Sequence, residues 1–267
     1  MDANPPVKTE KYDQIRSTLK TGDIVLFSSG VICMKIWKRL TGSRWTHVGI
    51  VVYEKKFKQM LLWESVMSAG LCDVDTYENK KGVQSVLLRQ KVRGYKGEVA
   101  IRRLTVAEKK RKKMRKNLRE FRKEVRNRDY EKFRTQILKA FCDEFSKGKY
   151  QKKERNIFLR FFSAIVEEKW GLRKENIEDL SSIFCSELIA EAYQRMGLLK
   201  KKPPKKAEES GRLKKLYKDI VFHKKAKPSN EYTPDDFSSY ISNGLSPEEK
   251  IQLVKGVSLS DEIGVVY

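Results

Sequence analysis

Ser43-Arg44-Trp45-Thr46-His47-Val48-Gly49-Ile50-Val51-Val52 is the stretch on which the reading of this chain turns. From Val48 onward the residues are small, β-branched and apolar without interruption, the pattern of a strand buried on both faces. His47 stands at its entrance. The chain holds two histidines, and the other, His223, lies in the lysine-rich run Phe222-His223-Lys224-Lys225, which reads as solvated loop. Histidine is the side chain that titrates near neutral pH without help. His47 is therefore the candidate general base, although a histidine at a strand edge is more often structural.

Working outward, Leu19-Lys20-Thr21-Gly22-Asp23 is a turn signal and Ile24-Val25-Leu26-Phe27 the buried strand that follows it. A short helix is expected within Lys11–Leu19. Val31, Ile32, Ile36 and Leu40 fall at helical spacing, and Thr41-Gly42-Ser43 ends that helix. After the central strand, Glu54-Lys55-Lys56 reads as a hairpin turn and Gln59 to Ser65 as the next strand. Val83–Leu88 and Val99–Leu104 continue an antiparallel meander.

The character changes at Thr105. Thr105-Val106-Ala107-Glu108 has the spacing of a capping box. In the helix beyond it, Met114, Leu118, Phe121 and Val125 form one apolar stripe. Lys109, Lys112, Lys116, Arg119 and Lys123 share the opposite face, an anion-binding candidate for phosphates or an anionic surface or simply a solvated face. Phe133, Ile137, Leu138 and Phe141 make a second stripe, and 157–166 reads as an apolar helix. The run 200–227 is a lysine-rich excursion. Pro234 opens a short helix, and the tail beyond it carries no strong signal.

Composition bounds the partners. Over 267 residues the formal net charge is +23, with 39% hydrophobic and 35% charged residues. That length accommodates one domain with insertions. The charge favours an anionic membrane surface, nucleic acid or an acidic assembly partner. No run of about 18 apolar residues suggests a membrane-spanning helix, and the N-terminus lacks the apolar core of a signal peptide. The four cysteines are far apart and, with two histidines, offer no zinc spacing. No metal site and no cofactor are expected, and a reducing compartment is expected.

Cys185 is distinguished by position. It follows Asp179-Leu180-Ser181-Ser182, where a serine can cap the helix carrying Leu188, Ile189, Ala192, Tyr193 and Met196, with Gly197 as its terminal cap. A thiol at a helix start meets the positive end of the dipole and free N–H groups, which favour thiolate and can serve an oxyanion. A buried small hydrophobe is the plainer alternative.

Taken in order, these pieces resemble the circularly permuted branch of the NlpC-type papain-like superfamily, the YiiX-like and lecithin retinol acyltransferase-like group. The matching segments are Leu19–Phe27, Ser43–Val51, Trp63-Glu64-Ser65, Val99–Leu104, Phe184-Cys185-Ser186-Glu187-Leu188-Ile189 and Thr233-Pro234-Asp235-Asp236. The resemblance implies an α+β permuted papain-like fold, an antiparallel sheet or half-barrel packed against helices. It further implies one domain over 1–267, with core 19–104 and 180–240 and a long basic helical insertion, 105–170. It implies Cys185 as nucleophile, His47 as base and Glu64 as the group orienting it. The implied activity is a cysteine hydrolase or acyltransferase working through a thioester on a peptide, isopeptide or lipid acyl substrate. Relatives of this branch occur in large DNA viruses, so the expected location is cytoplasmic or virion-associated. A basic structural or interaction protein on the same scaffold, as a component of a viral particle, is the alternative.

Overall fold

The computed structural model describes residues 8–30, 38, 43–66, 70–126, 185–200, 229, 232–241 and 245–267. Apart from Lys38 and Lys200, the expected helix over 31–40, the capping serines before Cys185, the apolar stripes at 133–141 and 157–166 and the excursion at 200–227 lie outside these residues.

The described residues form a mixed α+β structure in which a mostly antiparallel sheet packs against helices. Strands β1 (Lys8–Lys11), β2 (Ile24–Ser29), β3 (His47–Glu54), β4 (Gln59–Val66), β5 (Gly82–Leu87), β6 (Gly97–Arg102) and β9 (Ile263–Val266) make one sheet, in the order β1-β9-β6-β2-β3-β4-β5. Every pairing is antiparallel except β1 with β9. β7 (Leu104–Val106) and β8 (Val257–Leu259) form a separate ribbon. The helices are α1 (Tyr12–Ile15), α2 (Leu88–Gly94), α3 (Glu108–Glu124), α4 (Cys185–Arg195) and α5 (Pro247–Lys250), with 3-10 turns at Arg16–Thr18 and Pro234–Phe237.

Alternation along the strands divides the core into two layers. Ile24, Leu26, Val48, Ile50, Val52, Trp63 and Ala100 pack with the apolar faces of α3 and α4. Val25, Phe27, Val51, Leu62, Val86, Val99 and Ile101 pack with Tyr12, Ile15, Leu88 and Val92 from α1 and α2. The unbroken apolar run in β3 is thus explained, since both of its faces are covered.

Two turns fix the frame. Gly22 has φ +105°, and a Cβ there would lie 2.5 Å from Leu104 Cδ2, so the turn before β2 requires glycine. The neighbouring Asp23 carboxylate accepts from the N–H groups of Lys20 and Leu104. At the far end of α4, Gly197 has φ +72°. The Leu198 N–H bonds to the Tyr193 carbonyl at 2.8 Å and the Gly197 N–H to that of Gln194 at 3.0 Å, a Schellman cap.

The short helix expected within Lys11–Leu19 is present as α1, continued by a 3-10 turn at Arg16–Thr18. Two expectations are corrected. The Thr105–Glu108 capping box does not form: Thr105 is in β7, paired with Ser258, and Ala107 precedes α3. The strand ribbon claims the threonine backbone before the helix begins. The tail with no strong signal supplies β8 and β9, and β9 lies inside the main sheet.

Candidate active site

His47 is the first residue of β3, and Glu64 lies on the neighbouring strand β4. Both share strand parity with residues of the layer covered by α1 and α2, namely Val51 and Leu62. Cys185 is the first described residue of α4, which packs on β3 and β4 from the other layer.

The three side chains meet. His47 Nε2–H donates to Glu64 Oε2 at 2.6 Å, which commits that ring nitrogen to the carboxylate. The Cys185 sulfur lies beside the same imidazole and favours its protonation, and with Nε2 committed to Glu64, Nδ1 is the nitrogen left to face it. Glu64 is 0% exposed, Cys185 1% and the His47 side chain 17%. The imidazole is thus the most open of the three.

The sequence reading missed two further groups. Lys91 of α2 donates to Glu64 Oε1 at 2.8 Å, and the Gln84 amide of β5 donates to the same oxygen at 3.0 Å. Gln84 is the direct register partner of Glu64 across β4 and β5. A signal existed for Gln84, since a polar residue in a buried strand calls for a cross-strand partner. Nothing in the sequence marked Lys91 out from Arg89 and Arg93, which flank it on an otherwise exposed helix face.

The electrostatics follow from this geometry. Burial alone would lower the His47 pKa, but the Cys185 sulfur and the Glu64 carboxylate favour the imidazolium and hold it up to about 9 from 6.5. Burial would raise the Glu64 pKa, but the His47 hydrogen bond and the Lys91 charge outweigh it and hold the carboxyl down to about 2 from 4.5. Linkage gives the sign of the pH dependence. The His47 contribution is fully present below 6.5 and is lost as pH rises through about 9. The Glu64 contribution is present above 4.5 and is lost as pH falls towards about 2. The difference in thermal midpoint between the native protein and a His47→Gln variant is therefore expected to be largest at about pH 4.5–6.5 and to shrink on both sides. A difference that is flat from pH 4 to 10 would contradict this ion pair.

The basic helix face has the expected geometry. Lys109, Lys112, Lys116, Arg119 and Lys123 are all exposed, and Met114, Leu118, Phe121 and Val125 are buried. Two other basic residues of α3 depart from that face. Arg111 is buried and bonds to the Leu104 carbonyl, and Arg122 turns inward to the Ser85 hydroxyl, with Glu54 and Asp75 nearby. Among the described residues no group of three or more His, Cys, Asp and Glu is arranged to hold a metal ion, and no helix is long and apolar enough to cross a membrane.

No protein-family model and no curated protein sequence matches the chain. Among solved structures it is similar to the crystal structure of metalloprotein yiiX from Escherichia coli O157:H7, at 16% identity and a TM-score of 0.36, over 91% of this chain and 97% of that one. This is a distant structural similarity.

Proposed function

We propose that the protein is a thiol-dependent hydrolase or acyltransferase on a permuted papain-like scaffold, acting through a thioester on Cys185. The observation that carries this reading is the His47 imidazole hydrogen-bonded to a fully buried carboxylate, with the Cys185 sulfur beside the same ring. Cys185 Sγ attacks the acyl carbonyl while its proton rests on His47 Nδ1, the imidazolium that a pKa of about 9 favours at neutral pH. The tetrahedral oxyanion lies against backbone N–H groups around Cys185. The imidazolium then returns its proton to the leaving amine or alcohol, and the carbonyl re-forms as a thioester. Water or an acceptor hydroxyl or amine attacks the thioester, giving up its proton to His47, and Cys185 leaves as thiolate. Glu64 holds the ring with Nε2 protonated and Nδ1 towards sulfur.

The test is turnover on a panel of peptide, isopeptide and lipid acyl substrates, with Cys185→Ser as control. Mass mapping after brief treatment with iodoacetamide at neutral pH adds an independent measurement. Cys185 is expected to alkylate faster than Cys72, although Cys72 is exposed and Cys185 buried, because the thiolate is the reacting form. Faster labelling of Cys72 together with an inert panel would sink the assignment.

A second reading, an interaction protein that docks on an anionic surface, is favoured by one observation, the five exposed cations aligned on α3. Lys116 has an acidic neighbour, Glu120, at 3.9 Å, but that pair is exposed and weak. Binding to duplex DNA or anionic lipid vesicles is expected to weaken steeply with salt. Five phosphate contacts on DNA give a log–log slope of about −4 to −5. Changing Lys109, Lys112 and Lys116 to glutamate is expected to abolish binding while leaving alkylation of Cys185 unchanged. Binding that ignores both salt and charge reversal returns this face to a solvated role.

A further inference from the structure

Glu64 is the most enclosed charge at the site, and its two oxygens do different work. Oε2 receives the His47 Nε2–H at 2.6 Å. Oε1 receives Lys91 Nζ at 2.8 Å and the Gln84 amide at 3.0 Å. Gln84 is buried, and its own Oε1 has no hydrogen-bond partner among the described residues. Reversing the amide would set that oxygen against the carboxylate, so the carboxylate dictates its orientation, and an orphaned acceptor is the cost.

Lys91 is equally committed. Its side chain is 17% exposed, while Arg89, Gln90 and Arg93 around it on α2 are exposed. Nζ lies 5.6 Å from the Phe27 ring centroid. Phe27 in turn contacts the His47 ring at 5.5 Å and the Tyr95 ring at 4.9 Å. A lysine on a solvated face normally keeps its ammonium in water. This one turns inward, onto the face of the carboxylate away from the histidine.

We propose that Lys91 is a positioning residue of this site, holding Glu64 by Oε1 so that its charge is shared between ammonium and imidazolium rather than spent on His47 alone. The proposal rests on the reading of Cys185, His47 and Glu64 given above and adds its tuning. An imidazolium facing an undivided buried carboxylate is a reluctant acid. A second cation on the far oxygen weakens that hold and eases the return of the proton to the leaving group. The groups facing His47 and Glu64 are Cys185 from α4, Lys91 from α2, the Tyr95 hydroxyl just after α2, and the neutral Gln84 from β5.

The chain's two histidines make the test direct. In a His223→Gln background the one remaining imidazole signal in nitrogen-15 spectra belongs to His47, and its titration midpoint is read against pH. Lys91→Met and Lys91→Gln are expected to raise that midpoint by about one unit, while Lys91→Arg, which keeps the charge, stays near the native value. The glutamine variant carries the same test if the methionine variant does not fold. Native midpoints in the neutral variants, or an arginine variant that shifts as far as they do, would overturn the proposal. The readout does not depend on turnover. A shifted His47 beside an inert Cys185 defeats the hydrolase reading and keeps the coupling of Lys91 to His47. An unshifted His47 beside an active Cys185 does the reverse.

Discussion

His47→Ala is expected to slow acyl transfer by about 10²–10⁴-fold, and Cys185→Ala to abolish it. In the proposed mechanism His47 holds the thiol proton and returns it to the leaving group. Because the two residues act as one device, their losses do not add. The double variant is expected to be no slower than Cys185→Ala alone. Thermal midpoints taken on the same preparations separate chemistry from folding, since His47 also contributes to stability through Glu64. Native turnover in folded His47→Ala would remove the imidazole from the mechanism.

The largest expected loss of stability comes from Trp63→Ala, about 3–5 kcal/mol. Trp63 is 2% exposed in β4 and pairs in register with Ile50. Its ring meets Phe121 of α3 edge to face, with centroids 5.7 Å apart and planes at 88°. Truncation leaves a cavity between the sheet and α3, and it removes an aromatic contact worth a further fraction of the total. Trp63→Phe is expected to recover much of the loss. Denaturant unfolding measures both, and a Trp63→Ala midpoint close to native would mean that α3 is held elsewhere.

The contrast between Trp63 and Lys91 explains which parts of the molecule could be read from its sequence. The central strands were legible because their apolar runs have one physical reading, burial on both faces. The stripe Met114, Leu118, Phe121 and Val125 was legible because its period is helical. β1, with the sequence Lys-Thr-Glu-Lys, was not, because an edge strand is solvated and its residues look like loop. β9 has four residues, one of them glycine, too few for alternation to declare itself. Thr105 misled because one local motif served two futures, a cap or a strand, and the long-range pairing with Ser258 decided.

At the candidate site, residue type and position made His47 and Cys185 visible as separate candidates, and Glu64 was implied by the family resemblance alone. Their mutual distances depend on β3–β4 pairing and on the docking of α4, which no local pattern encodes. Lys91 was invisible because a lysine in a basic helix carries no sign of where its ammonium ends. Only the register that sets Glu64 opposite Gln84, and the packing of α2 on that face, turns it into a partner.

The position of β9 has a consequence for how the molecule is made. β6 pairs on one side with β2, and on its other side Ala100 pairs with Gly264. A ribosome adding about 5–20 residues per second delivers that partner roughly 8–33 s after Ala100. Throughout that interval the meander from β2 to β6 has its hydrophobic strands in hand but one hydrogen-bonding flank unfilled, the arrangement that recruits strands from other chains. β1 must wait as long, because the strand it pairs with is β9. The open flank of β6 is therefore a feature of the nascent chain that the finished sheet no longer carries.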